Sequence, residues 1–131
     1  MATESLSHAG PYREEIDPAS VQGFADIYGG TGAALFPTYA TRFRRGEFDL
    51  LARQGIALNE ILHGEQEYRY PGDLQVGDEA TFETRIVEDA TKRSAKGGLR
   101  IMTMETQISS ARGLAVVARS TLVIRIPAAI V

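Results

Sequence analysis

This chain of 131 residues has two histidines and no cysteine. Disulfides, cysteine-ligated zinc and thiol nucleophiles are thereby excluded, so imidazole chemistry falls to His8 or His63. His8 stands in a run of small and polar residues ending at Gly10-Pro11, read as a flexible tail over residues 1–11. His63 is the remaining candidate catalytic imidazole. Glu65 lies two residues on, on the same side of an extended chain, where it can orient an imidazole or form an ordinary surface pair with it. The alternative for His63 is a structural histidine at a strand entry. A second pair of acids, Glu47 and Asp49, falls where the positive end of a helix would favour negative charge. None of these groups has metal-ligand spacing, so no metal is expected. The glycines of residues 29–32 lack the Gly-Lys-Ser/Thr ending of a nucleotide loop and read as a turn.

Fourteen basic and seventeen acidic residues give a formal charge of −3, which argues against nucleic acid and acidic membranes as partners. The apolar run from Leu114 to Ala118 is far short of the ~20 residues that cross a bilayer. Residues 1–5 carry neither a basic patch nor an apolar stretch, so a cytoplasmic location is expected.

The elements that must position the candidates follow from periodicity. Tyr12 to Ile16 suit a short strand. Asp17-Pro18 then provides an N-cap and a first-turn proline, and Val21, Phe24, Ala25 and Tyr28 recur at helical spacing up to the glycines. Pro37 opens a longer helix with Tyr39, Ala40 and Phe43 on one face. A break is expected at Gly46, followed by a continuation through Glu47, Phe48, Leu50 and Leu51 that stops at Gly55.

From Ile61 the period becomes alternating. Glu65, Glu67 and Arg69 oppose Gln66, Tyr68 and Tyr70. Further single-face series are Ala80, Phe82, Thr84 and Ile86, then Met102, Met104, Thr106 and Ile108, then Val116, Ala118, Leu122, Ile124 and Ile126. Turns are expected at 71–73, 76–78, 96–98 and 111–113, and Pro127 ends the last strand. The order predicts an α+β fold in which an antiparallel sheet wraps around one central helix, as a single domain over residues 12–131. Leu99, Ile101, Val117 and Val123 point to the opposite face, so a second subunit is expected to cover part of it.

Leu62-His63-Gly64-Glu65-Gln66-Glu67-Tyr68, Tyr70-Pro71, Val76-Gly77-Asp78, Gly97-Gly98-Leu99 and Arg119-Ser120-Thr121-Leu122-Val123-Ile124-Arg125, in this order, resemble the N-terminal half of MaoC-like dehydratases. This is the FAS1-like dehydratase group of the hot-dog fold. It includes the accessory subunits of heterodimeric mycobacterial-type 3-hydroxyacyl-carrier-protein dehydratases. Leu35-Phe36-Pro37-Thr38-Tyr39 sits where such proteins step into the central helix.

The resemblance implies (R)-specific hydration of trans-2-enoyl thioesters, or the reverse dehydration. Active members of the family carry an Asp and a His in a loop of the form Gly-Asp-x-Asn-Pro-x-His. The matching stretch here, Gly29-Gly30-Thr31-Gly32-Ala33-Ala34-Leu35, has neither. The likeness is therefore to non-catalytic halves that shape the acyl tunnel while a partner supplies the acid–base pair. It implies a homodimer, or a heterodimer with a catalytic MaoC-like subunit, with substrates on coenzyme A or acyl-carrier protein and no separate cofactor. Substrate contacts would come from Tyr39, Phe43, His63 and Gly64. Arg42, Arg44 and Arg45, or Lys92, Arg93 and Lys96, are either phosphate contacts or solvated basic faces. Two alternatives stand beside this reading: a hot-dog thioesterase using Glu47 or Asp49 against a thioester, and a module that only binds acyl thioesters.

Overall fold

The computed structural model describes residues 5–19 and 42–127, with the side chain of His63 left out. Five strands form one antiparallel sheet: β1 (His8–Glu15), β2 (Ile61–Arg69), β3 (Glu79–Ser94), β4 (Gly97–Ser110) and β5 (Gly113–Ile126), in the spatial order β1-β3-β4-β5-β2. Helix α1 (Arg45–Arg53) packs on β1, β3 and β4, and a 3-10 turn (Leu58–Glu60) leads from it into β2. The predicted helix over 18–28 and the beginning of the longer helix at Pro37 lie outside the described residues.

The alternating series form the inner, helix-facing side. Met102, Met104, Leu122 and Ile124 bury against Leu50 and Leu51 of α1, while Phe82, Ile108 and Val116 gather Ile16 and Phe43 into an adjoining cluster. The two clusters make one core because successive inner residues on antiparallel neighbours face each other in register. On the outer side Leu99 stays 40% exposed, and Ile101, Val117 and Val123 are half-buried.

Two expectations change. Residues 8–11 are not a tail, because β1 begins at His8 and pairs with β3. Composition alone hides the reason, which is tertiary: Arg53 at the end of α1 donates to the carbonyls of Ser5 and His8, and Gln54 donates to that of Leu6 at 2.7 Å. The interruption expected at Gly46 falls slightly earlier, at Phe43 and Arg44, which are not helical, and Gly46 itself is inside the new helix. It sits in the first turn of α1, where a Cβ would stand 2.3 Å from Thr84 Oγ1, so the absence of a side chain there lets α1 approach β3. At the other end Gly55 takes φ +70°. Gly55 N–H donates to Ala52 and Ile56 N–H to Leu51, which closes the helix C-terminus as a glycine at this position predicts.

Candidate functional site

The two carboxylates of α1 go to different places. Helical geometry turns residues 47 and 49 about 200° apart around the axis, so they cannot share a face. Asp49 looks towards β1, where it accepts from the Tyr12 hydroxyl and lies 3.9 Å from Arg45. Glu47 turns inward and is only 4% exposed. Arg44 Nε donates to it at 2.6 Å, compensating a charge that burial alone would disfavour.

The β2 strand brings three polar side chains to the same region. Gln66 pairs with Ser120 and Tyr68 with Ala118, so Gln66, Tyr68 and Ser120 share the inner face. Gln66 Nε2 and Ser120 Oγ are 3.2 Å apart, and Gln66 also meets the Tyr68 hydroxyl. With its amide turned over, Gln66 accepts from Arg44 Nη2 at 3.1 Å and donates to Tyr68, satisfying both ends of the amide. Burial raises the Tyr68 pKa, the nearby charge of Glu47 raises it further, and Arg44 partly offsets both. Tyr68 is therefore a protonated donor at neutral pH. The arrangement is a polar cluster of Arg44, Glu47, Gln66, Tyr68 and Ser120 on the inner face, beside the outermost strand of the described sheet. Its hydroxyl and amide donors suit a carbonyl or hydroxyl oxygen, while Glu47 is committed to Arg44.

The FAS1-like dehydratase domain region matches this chain over residues 12–119. The chain belongs to that family. A curated relative, a UPF0336 protein of Thermobifida fusca, is 24% identical over 121 residues, covering 92% of this chain and 75% of its own length. The HadBC (3R-hydroxyacyl-ACP dehydratase) complex of Mycobacterium tuberculosis contains a chain that superposes with a TM-score of 0.67 at 14% identity, covering 92% of this chain and 98% of that one. A MaoC-like dehydratase from Rhodospirillum rubrum gives 0.58 at 19% identity, covering 95% and 92%. The fold of this FAS1-like dehydratase domain is the hot dog, a curled antiparallel sheet around one helix, as the strand pattern predicts.

The fold distributes the other candidate residues of this dehydratase-family chain widely. Tyr39 and residues 29–35 lie outside the described residues. Phe43 is core, its ring centroid 5.2 Å from that of Phe82. The backbone of His63 pairs with Val123, just past an irregularity in β2, and Gly64 pairs with Leu122. Glu65 is exposed on the outer face, across the sheet from Glu47, in a small cleft of about 160 Å³ with Glu67, Glu88, Thr103, Arg119 and Thr121. The thioesterase acids and Glu65 are thus not brought together. Arg42, Arg44 and Arg45 each face a carboxylate of this chain, namely Glu14, Glu47 and Asp49. Among the described residues, no group of three or more His, Asp or Glu converges as metal ligands would, and no helix is long and apolar enough to cross a membrane.

Ser120, Gln66 and Tyr68 escaped sequence reasoning. One signal was present for Ser120, a hydroxyl interrupting the inner-face series Val116, Ala118, Leu122 and Ile124. Gln66 and Tyr68 already shared a face by alternation. Only the sheet order, which sets β2 beside β5, joins the three.

Proposed function

We propose that this chain is the non-catalytic half of an (R)-specific enoyl-thioester hydratase or 3-hydroxyacyl-thioester dehydratase, shaping the acyl tunnel beside a catalytic hot-dog partner. The observation that carries this reading is the sequence of residues 29–35, which has no ionisable side chain in a chain of a dehydratase family. Adding water across an enoyl thioester needs a proton placed at the α carbon and hydroxide delivered at the β carbon. One acid–base pair acting on a single water does both, with a hydrogen-bond donor polarising the thioester carbonyl.

Here the inner-face carboxylate of α1, Glu47, is held by Arg44. What this chain offers instead is a donor-rich wall of Tyr68, Gln66 and Ser120 next to β2. Addition of a partner sheet along β2 would turn that wall into one side of an enclosed tunnel and cover unpaired backbone groups. The half-buried apolar residues of the outer face support an assembly larger than one chain. The thioester, on coenzyme A or a carrier protein, is the substrate and not a resident cofactor.

The test follows crotonyl-CoA absorbance with this chain alone, with its Glu47→Gln and His63→Ala variants, and with a candidate partner bearing the Asp/His loop. The lone chain is expected at background rate, since a missing general acid or base forfeits about 10² to 10⁴ in rate. Activity is expected only with the partner. Strong hydration by the lone wild type, abolished by His63→Ala, would overturn the reading. Thiol release abolished by Glu47→Gln would replace it with the thioesterase.

A further inference from the structure

The polar cluster on the inner face fixes the direction of one proton. A guanidinium only donates, so the end of the Gln66 amide that meets Arg44 is its oxygen, which accepts from Arg44 Nη2 at 3.1 Å and from Ser120 Oγ at 3.2 Å. The amide nitrogen is thereby turned onto Tyr68, whose hydroxyl oxygen accepts from it. A phenol carries a single proton, and an oxygen that accepts along one direction holds its proton along another. Tyr68 therefore points its own proton away from Gln66. Among the described residues none accepts it, since Glu47 is bound by Arg44 at 2.6 Å and forms no hydrogen bond with Tyr68. The half-buried ring stacks on Tyr70 with centroids 6.4 Å apart and packs against the cluster of Phe43 and Phe82, which holds the hydroxyl in place.

We infer that Tyr68 is a specificity-determining residue, one that favours thioesters whose acyl part carries an uncharged oxygen, a ketone or a hydroxyl, over those with an unsubstituted chain. The other donors of the cluster are committed: Arg44 to Glu47 and Gln66, and Ser120 to Gln66. One free donor calls for one acceptor. Arg44 and Glu47 compensate each other's charge, so nothing in the cluster offsets the desolvation of a carboxylate. An alkyl chain laid against the cluster in a closed tunnel leaves the Tyr68 proton unpaired, and an unpaired buried donor costs more than a satisfied one contributes. A site built around such a donor discriminates against the analogue that lacks the acceptor. The acyl part is what reaches this wall, because the acid–base pair, and with it the reacting end of the thioester, belongs to the partner. That an acyl chain occupies the site rests on the proposed function. The direction of the proton rests on the cluster alone.

N-acetylcysteamine thioesters of hexanoic, 4-oxohexanoic, 5-oxohexanoic and hexanedioic acid are titrated separately into the purified chain, with chemical-shift mapping by NMR. One of the two oxo compounds is expected to bind about fivefold more tightly than hexanoyl, the effect of one neutral hydrogen bond, and to perturb Gln66, Tyr68 and Ser120. The hexanedioyl thioester should gain nothing over hexanoyl. Tyr68→Phe is expected to bring the oxo and hexanoyl affinities together. Gln66→Glu separates the proton from the hydroxyl: the carboxylate stays paired with Arg44 but can only accept, so it draws the Tyr68 proton inward and the preference disappears although the hydroxyl remains. Gln66 is exposed, and an unchanged urea midpoint checks the fold of both variants. A preference that survives either substitution overturns the proposal. So does a wild type that binds the oxo and hexanoyl compounds equally, binds neither, or binds the hexanedioyl compound best. Hydration of crotonyl-CoA with a catalytic hot-dog partner is scored independently. A chain that shows the Tyr68-dependent preference but never supports hydration overturns the dehydratase-subunit reading and leaves the selection by Tyr68 standing.

Discussion

Glu47 and Glu105 are both buried carboxylates held by an arginine, and they lie on opposite faces of the same sheet. Glu105 is directly paired with Arg119 across β4 and β5, accepts from Arg119 at 2.9 and 3.0 Å, and is completed by Gln107. Its partners stand on the central, fully paired part of the sheet, so the pair is closed on itself. Glu47 sits on α1 and is held by Arg44, which in turn meets Gln66 of the outermost strand, and the charge of Glu47 acts on Tyr68 of that strand. The difference teaches that burial and an ion pair do not by themselves make a site. Glu47 lies on the inner face near a strand edge where another sheet can add, whereas Glu105 lies on the outer face of fully paired strands, with no strand edge beside it.

The sharpest test of how α1 holds Glu47 in place is Gly46→Ala. Helix propensity alone predicts stabilisation by about 1 kcal/mol. The contact with Thr84 predicts the opposite sign, with a loss of about 3 kcal/mol at the upper end of overpacking costs. A urea denaturation curve decides between them, and a stabilised variant would show that α1 does not seat against β3 as described.

Arg119→Met breaks the closed pair instead. A fully buried pair loses about 3–5 kcal/mol when one partner goes, but Arg119 is 42% exposed, so about 2 kcal/mol is expected. This variant also tests the pH dependence. Burial opposes ionisation of Glu105, yet its hydrogen bonds from Gln107 and Arg119 and the charges of Arg119 and Arg85 outweigh it and hold its pKa below the ordinary carboxylate value. Hydrogen bonding from Arg112 depresses Asp78 in the same direction against its burial, and Arg100 does so for Asp89. A depressed folded-state pKa means that the unfolded chain binds more protons between the two values. This stability is therefore complete above the ordinary carboxylate range, about pH 4–5, and disappears as pH falls through the folded values. Melting temperatures from pH 7 to 2 should decline below about pH 4, less steeply in Arg119→Met than in wild type.

The smallest effect is expected at the open cluster. Tyr68→Phe removes the hydroxyl that meets Gln66 beside an exposed strand edge and should cost about 0.5–1 kcal/mol. The same change is expected to weaken acyl-thioester binding in the assembled complex, which Arg119→Met should leave intact. Equal effects of the two variants on binding would erase the distinction between the open and closed pairs.

Much of the fold was legible because strands declare themselves by a period of two, and glycine- and proline-containing turns punctuate them. Gly55 as a helix stop and the series through Met102 and Met104 needed no tertiary knowledge. Residues 8–11 were illegible because their order comes from Arg53 and Gln54, more than forty positions away. The site was legible in pieces. Alternation placed Glu65 opposite Gln66 and Tyr68, and the composition of residues 29–35 showed no acid–base pair. The burial of Glu47 was not legible, because an acid in a first helical turn reads equally well as a solvated favourable charge.

By itself, then, the order of residues determined which side chains share a strand face, where the chain turns and which chemistries lack their groups, since these follow from local backbone geometry and inventory. Only the tertiary structure decided that Ser120 meets Gln66 and that Arg44 neutralises Glu47. Each of those facts depends on which strands lie side by side, and the spatial order β1-β3-β4-β5-β2 is set by closing the sheet around α1 over a common core. No local pattern specifies that closure.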